Sequence, residues 1–219
     1  MENKAVFGEF LGTMILVAAI VGSGFMASAL STDGLVQLLT IAISTIFVLG
    51  TLILTLGPVS GAHLNPAVTI ALAITKQFPA NQILVYVIAQ VTGGIFGSVL
   101  ANLMFGSELA PVSQTERFAL GTGVGEVVAT GLLVFVVLSL LRAKKSNLIA
   151  FGVPAAVGSA FFFTSSAAFA NPAVTIGRIF TDSITSISPA SAAGYVAVQV
   201  VGALVAVGVV RVLYAKKGK

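Results

Sequence analysis

The sequence has no cysteine and a single histidine, His63. The first absence removes a disulfide frame, a thiolate metal site and a cysteine nucleophile. The second argues against a His-rich metal centre. Charge is scarce too: Asp, Glu, Lys and Arg make up 8% of 219 residues, whereas 57% are apolar and the mean hydropathy is +1.08. A soluble domain has no use for so much apolar surface, so the chain reads as a polytopic membrane protein. A net charge of +4 would suggest nucleic acid only if the basic residues formed a folded patch. They sit instead in short loops and at the ends of the chain, where they report topology. No cleavable signal peptide is expected: the apolar run after Met1–Lys4 continues to about Leu30, and no small-residue cleavage site closes it. No metal cluster, Ser/His/Asp set or phosphate loop is present, so neither an enzyme nor a bound cofactor is expected.

What is there is apolar sequence of spanning length. Six runs qualify, at about Val6–Leu30, Leu35–Gly57, Ile83–Phe105, Phe118–Leu141, Leu148–Ala167 and Ala190–Tyr214. Two further stretches, Leu64–Thr75 and Ala170–Phe180, are too short to cross. With six spans both termini share a side. Placing them in the cytoplasm puts nine of the eleven Lys and Arg residues inside: Lys4, Lys76, Arg142, Lys144, Lys145, Arg211, Lys216, Lys217 and Lys219. Only Arg117 and Arg178 fall outside, so the positive-inside rule fixes the orientation in the cell's inner membrane.

Each short stretch opens on Asn-Pro-Ala-Val-Thr-Ile, at Asn65–Ile70 and again at Asn171–Ile176. An asparagine caps a helix by accepting a backbone N–H through its side-chain oxygen. A proline at the first helical position loses no bond and arrives with φ already set. Each motif therefore starts a helix abruptly, and ten residues at ~1.5 Å each reach only about half of a ~30 Å hydrocarbon core. Other segments repeat as well. Gly8-Glu9-Phe-Leu-Gly-Thr is echoed by Gly125-Glu126-Val-Val-Ala-Thr, and Tyr86-Val-Ile-Ala-Gln90 by Tyr195-Val-Ala-Val-Gln199. Repeats of about 1–106 and 118–219 each hold three spans, so one must be inverted against the other within one domain, 1–219. Gly93 with Gly97 and Gly121 with Gly125 stand four apart, a spacing for close helix packing.

Inversion brings the two half-helix N-termini together near the bilayer centre, each carrying roughly +0.5 of a charge from its peptide dipoles. Irregular backbone is tolerated at that depth only against protein or a water-filled lumen. A lumen there repels cations, protons included. If the asparagine oxygens cap the backbone, the amide N–H groups stay free to donate to a passing solute. The arrangement describes a pore for small neutral hydrogen-bonding solutes.

These features resemble the aquaporin (major intrinsic protein) family over nearly the whole chain. The resemblance rests on Gly8–Thr13, Ser60–Thr69, Tyr86–Gly94 and Asn171–Ala173. It implies an all-α membrane fold of six tilted helices plus two half-helices, one pore per subunit and a homotetramer in the lipid bilayer. The pore motifs are Asn65, Pro66, Ala67 and Asn171, Pro172, Ala173. The family's filter normally has an arginine directly after the second Asn-Pro-Ala; here the residue is Val174. Spacing from the motifs carries the other filter positions onto Thr45, Ser159 and Ala168, with Gly158 as the alternative to Ser159 after a one-residue shift. All are small and uncharged, so the filter is expected to be wider and less polar than a strict water channel's. In the family the glutamates corresponding to Glu9 and Glu126 brace the unwound loops; the other reading of such intramembrane carboxylates is a proton relay. His63 is expected to line the cytoplasmic half-pore. Arg178 shares a helix face with Asn171 and Val174. It is read either as a displaced pore-mouth arginine or as a residue reaching the headgroups or Asp182. Phe161-Phe162-Phe163 is assigned to packing and lipid contact.

The expected function is passive conduction of water and small neutral solutes such as glycerol, urea or undissociated metalloid acids. A strict water channel and, less well supported, a secondary carrier remain the alternatives. A carrier would need coupling-ion ligands at the midplane, where Glu9 and Glu126 are the only candidates.

Overall fold

Hydrocarbon leaves a spanning backbone no partner but itself, so the apolar runs become helices. The structure, a computed structural model, describes residues 3–215. Lys216, Lys217 and Lys219 of the expected inside set lie outside the described residues. Among the described residues six helices are long and apolar enough to span: α1 (Asn3–Leu30), α2 (Gly34–Ser60), α4 (Ile83–Met104), α5 (Leu120–Arg142), α6 (Ile149–Phe163) and α8 (Pro189–Leu213), with α4 and α6 extended by the 3-10 turns Ala80–Gln82 and Ser146–Leu148 before them. Two short ones, α3 (Pro66–Ile74) and α7 (Pro172–Gly177), follow the repeated motif. No strand occurs among the described residues.

Local chemistry sets the boundaries. Asp33 caps α2 by accepting the Val36 N–H at 2.9 Å. Gly61, at φ +88°, stops it in the left-handed region where a side chain would be strained. Ser188 caps α8, with Pro189 at its first position. Two elements are shorter than the hydropathy suggests. α6 ends at Phe163 rather than near Ala167, because the chain must turn back toward the membrane centre; Ala167, Ala168 and Ala170 take φ of +53°, +49° and +49° to do so. α7 ends at Gly177 and tightens into a 3-10 turn over Arg178–Phe180.

α1 packs on α4, and α5 on α8. Gly93 and Gly97 lie directly on the α1 backbone at Phe10 and Met14, where a Cβ would have no room. The second spaced pair is different: Gly125 sits against Ser165 and Ser166, but a Cβ at Gly121 would face open space, and only its carbonyl is engaged, by Ser165 Oγ at 2.9 Å. The two half-helices meet N-terminus to N-terminus, on a channel that they share with α1, α2, α5 and α6.

Candidate functional site

The two asparagines form a reciprocal lock. Asn65 Oδ1 accepts the Ala67 N–H at 2.9 Å, and Asn171 Oδ1 accepts those of Ala173 at 2.9 Å and Val174 at 3.3 Å. Each amide then crosses to the opposite loop. Asn65 Nδ2 donates to the Ala170 carbonyl at 2.9 Å, and Asn171 Nδ2 to the Leu64 carbonyl at 2.8 Å. The expected free amides are therefore only half free. One N–H of each is spent fixing the two half-helices together, and the other is left for the lumen. Pro66, Ala67, Pro172 and Ala173 are buried behind the asparagines as the first turns of α3 and α7.

Behind each loop stands a glutamate. Glu9 accepts four hydrogen bonds, from Ser60 Oγ (2.7 Å), His63 N (2.9 Å), Leu64 N (2.7 Å) and Gln90 Nε2 (2.7 Å). Glu126 accepts three, from Phe169 N (2.9 Å), Ala170 N (2.8 Å) and Gln199 Nε2 (2.6 Å). Carboxylates saturated by backbone donors hold an extended loop where nothing else could satisfy its N–H groups. The glutamines are shared: Gln90 also donates to Thr69 Oγ1 at 3.0 Å and Gln199 to Thr175 Oγ1 at 2.9 Å. These partners went unassigned in the sequence, although the Tyr…Gln echo marked both glutamines.

A cavity of about 250 Å³ runs past both asparagines. Its apolar wall is built from every fourth residue of four helices, for example Ile149, Val153, Val157 and Phe161 of α6. Its polar wall is the two loops, Gly61–Asn65 and Ala168–Phe169, with Asn171. No Asp or Glu lies on it, and among the described residues no three His, Asp or Glu side chains gather as a metal site.

Of the filter positions, Thr45, Ala168 and Val174 line this cavity. Thr45 donates its hydroxyl to the Ile41 carbonyl at 2.7 Å and offers the lumen only oxygen lone pairs. Ser159 does not line it. It is exposed on the far face of α6, bonded to Ala156, because the lumen stripe runs through residues 157 and 161. Gly158 fails likewise, since it packs against Ile46. Val157 and Phe161 occupy the place expected for a small polar residue. Phe161 thus separates from Phe162 and Phe163, which are exposed as a lipid-facing pair would be.

His63 lines the cavity on the side of Lys76 and Gln77, with Nδ1 3.1 Å from Thr69 Oγ1 and its ring against Phe78 and Tyr86. The Thr69 hydroxyl is shared between this ring nitrogen and the Asn65 carbonyl, each at 3.1 Å. At the other end Arg178 also borders the cavity, at 7% exposure. It does not pair with Asp182, which is exposed. Its Nε donates to the Thr185 carbonyl, and its Cζ lies 3.4 Å from the centroid of the Phe169 ring. Phe169, absent from the expected site, is thereby part of it.

Six spans, an inverted pair of half-helices locked asparagine to asparagine and a lumen between them define a membrane channel. The major intrinsic protein profile matches residues 1–164 and 114–219. Aquaglyceroporin AqpS of Rhizobium meliloti (strain 1021) is 40% identical over 215 residues, covering 95% of this chain and 89% of that one. Aquaporin-5 of Homo sapiens is 41% identical over 117 residues, 53% of this chain and 40% of that one. The X-ray structure of the aquaglyceroporin from Plasmodium falciparum shares the fold, with a TM-score of 0.73 at 21% identity and 94% of both chains covered. The chain belongs to the major intrinsic protein family, and it is a channel rather than an enzyme.

Proposed function

We propose that this chain conducts water together with small neutral hydroxylated solutes of the glycerol class, and with urea or undissociated metalloid acids of similar size, passively and without a coupling ion. The observation that carries this reading is the wall itself. A continuous lumen passes both asparagines with apolar helix faces on one side and the two loops and asparagines on the other, and with valine where an arginine would narrow it. The two carboxylates at membrane depth are consumed as loop braces, which leaves no coupling ligand for a carrier. The name of the 40%-identical relative, an aquaglyceroporin, agrees with the solute class. Thr45, Ala168 and Val174 form the filter, joined by Phe161 in place of Ser159 and by Arg178 at the outer mouth. The distribution of basic residues supports an orientation with both termini cytoplasmic in the inner membrane, and membership of the major intrinsic protein family supports a homotetramer. A strict water channel is the second reading, favoured by Phe161 and Arg178 on the wall.

Radiolabelled glycerol uptake into proteoliposomes tests the proposal. Flux linear in concentration, indifferent to proton and sodium gradients and free of counterflow is the expected result. Saturable or gradient-driven uptake contradicts it, and water flux without glycerol flux selects the second reading.

A further inference from the structure

Among the described residues Arg178 carries the sole charged side chain on the lumen wall. The way it is held matters more than its position in the sequence. A buried guanidinium is ordinarily kept by a carboxylate, which would cancel its charge toward the lumen. Among the described residues no carboxylate contacts it: Glu126 is occupied by Phe169 N, Ala170 N and Gln199. The Thr185 carbonyl fixes Nε, and the face of Phe169 lies flat beneath Cζ at 3.4 Å. A carbonyl and an aromatic face attract a cation without neutralising it. The two terminal nitrogens, unused by these contacts, are left for the lumen.

Phe169 is itself immobilised from several sides. Its N–H is tied to Glu126 Oε1 at 2.9 Å. The Tyr195 ring meets it edge-on at 5.1 Å and 85°. Arg117, anchored on the Ser186 and Ile184 carbonyls, has its Cζ 5.7 Å from the Phe169 centroid. The same position in the other half, 106 residues earlier, is His63, and the position matching Arg178 is Leu72. Ring and guanidinium are thus both peculiar to the outer half and belong together.

We propose that Phe169 is a specificity-determining positioning residue. It holds Arg178 as a fixed positive charge, uncancelled by any contacting carboxylate, at the outer mouth one helical turn beyond Val174. A barrier to protons and metal cations is thereby added at 178 to that of the half-helix dipoles at the centre, while the passage at 174 stays open to uncharged solutes. This rests on the channel reading above.

The test uses the full-length protein in proteoliposomes, measuring water permeability by light scattering and proton leak by an enclosed pH dye in the same vesicles. The readout is the ratio of leak to water permeability. Loss of the charge in Arg178→Gln should raise the ratio by about a hundredfold. Phe169→Leu, which keeps an apolar side chain but removes the π face, should raise it about tenfold, and Phe169→Tyr should restore it to within about twofold of wild type. Arg178→Lys keeps the charge but loses the planar stack, and should follow Phe169→Leu.

A second measurement does not depend on transport. In nanodiscs the Arg178 side-chain protons should be shifted upfield by the ring current in wild type and in Phe169→Tyr, and the shift should vanish in Phe169→Leu. An unchanged ratio and an unchanged Arg178 resonance in Phe169→Leu would overturn the proposal. So would Arg178→Gln leaking while Phe169→Leu does not, since the charge would then be held without the ring. If the wild type passes no water, the channel reading fails, and the resonance still decides what holds Arg178.

Discussion

The two halves of the molecule solve the same structural problem with the same residues and then diverge at the lumen. Positions 106 apart match around the motif: Ser60 with Ser166, Asn65 with Asn171, Val68 with Val174, Thr69 with Thr175. The loop backbone matches as well, with φ of +46° and +50° at Ala62 and Leu64 against +49° and +49° at Ala168 and Ala170. Both loops hang from a glutamate, and both glutamates from a glutamine. The divergence in side-chain chemistry is largest at two pairs, His63 against Phe169 and Leu72 against Arg178, all four on the cavity wall, while Gly61 against Ala167 and Leu64 against Ala170 change only apolar bulk. The brace is duplicated because each unwound loop must satisfy the same N–H groups. The mouths differ because nothing in the brace depends on them. The inner half presents an imidazole, and the outer half a guanidinium held on a ring.

The largest effects should come from breaking the shared part. Glu9→Gln and Glu126→Gln replace an acceptor-only group with one whose NH2 faces two donors. Removing one partner of a buried charged network costs about 3–5 kcal/mol. Unfolding in detergent should show both losses at similar size, because Ser166 stands by Glu126 as Ser60 stands by Glu9. A stable variant with altered solute choice would revive a proton relay. Next, Gln90→Leu and Gln199→Leu leave a threonine and a carboxylate each short of a donor, at about 1–3 kcal/mol by the same assay. A loss in one half only would show that the halves are not equivalent.

Smaller effects should follow from making the halves alike. His63→Phe copies the outer residue into the inner half and removes the Nδ1–Thr69 bond. It should cost about 1 kcal/mol in the same unfolding measurement. The smallest effect concerns the outer loops. Glu116, exposed before α5, is held below its ordinary value of 4.5 by hydrogen bonds from Ser191 and Ser188. A carboxyl depressed in the folded state stabilises it fully above the unfolded pKa and loses that contribution as pH falls through the folded one. Melting temperatures from pH 6 down to about 3 should therefore fall more for wild type than for Glu116→Gln; parallel curves would show that the Glu116 bond adds nothing.

The spans, the half-helices and their caps were legible because hydropathy, an Asn-Pro start and an internal repeat are local signals. Thr45, Ala168 and Val174 could be counted from the asparagines. Ser159 could not, since the count crosses Thr164–Ala170, which leaves the helix, and the lumen stripe of α6 falls on Val157 and Phe161 instead. The half-free amides of Asn65 and Asn171 needed the opposite loop to be seen. Arg178 reached the lumen through its shared face with Val174 even though its turn is 3-10 rather than α. What holds it, the ring of Phe169, is a tertiary contact, and its sequence signal was the mismatch with His63 alone.

The central claim, a wide lumen that passes small neutral solutes because residue 174 is not an arginine, is tested most directly by the ratio of glycerol to water permeability in wild type and Val174→Arg. The account predicts that wild type conducts both, and that the arginine lowers glycerol permeability at least about tenfold while water flux survives, because its bulk and donor fork fill the passage. A wild type that excludes glycerol, or a Val174→Arg channel that passes glycerol undiminished, would contradict it and place the constriction at Phe161 and Arg178.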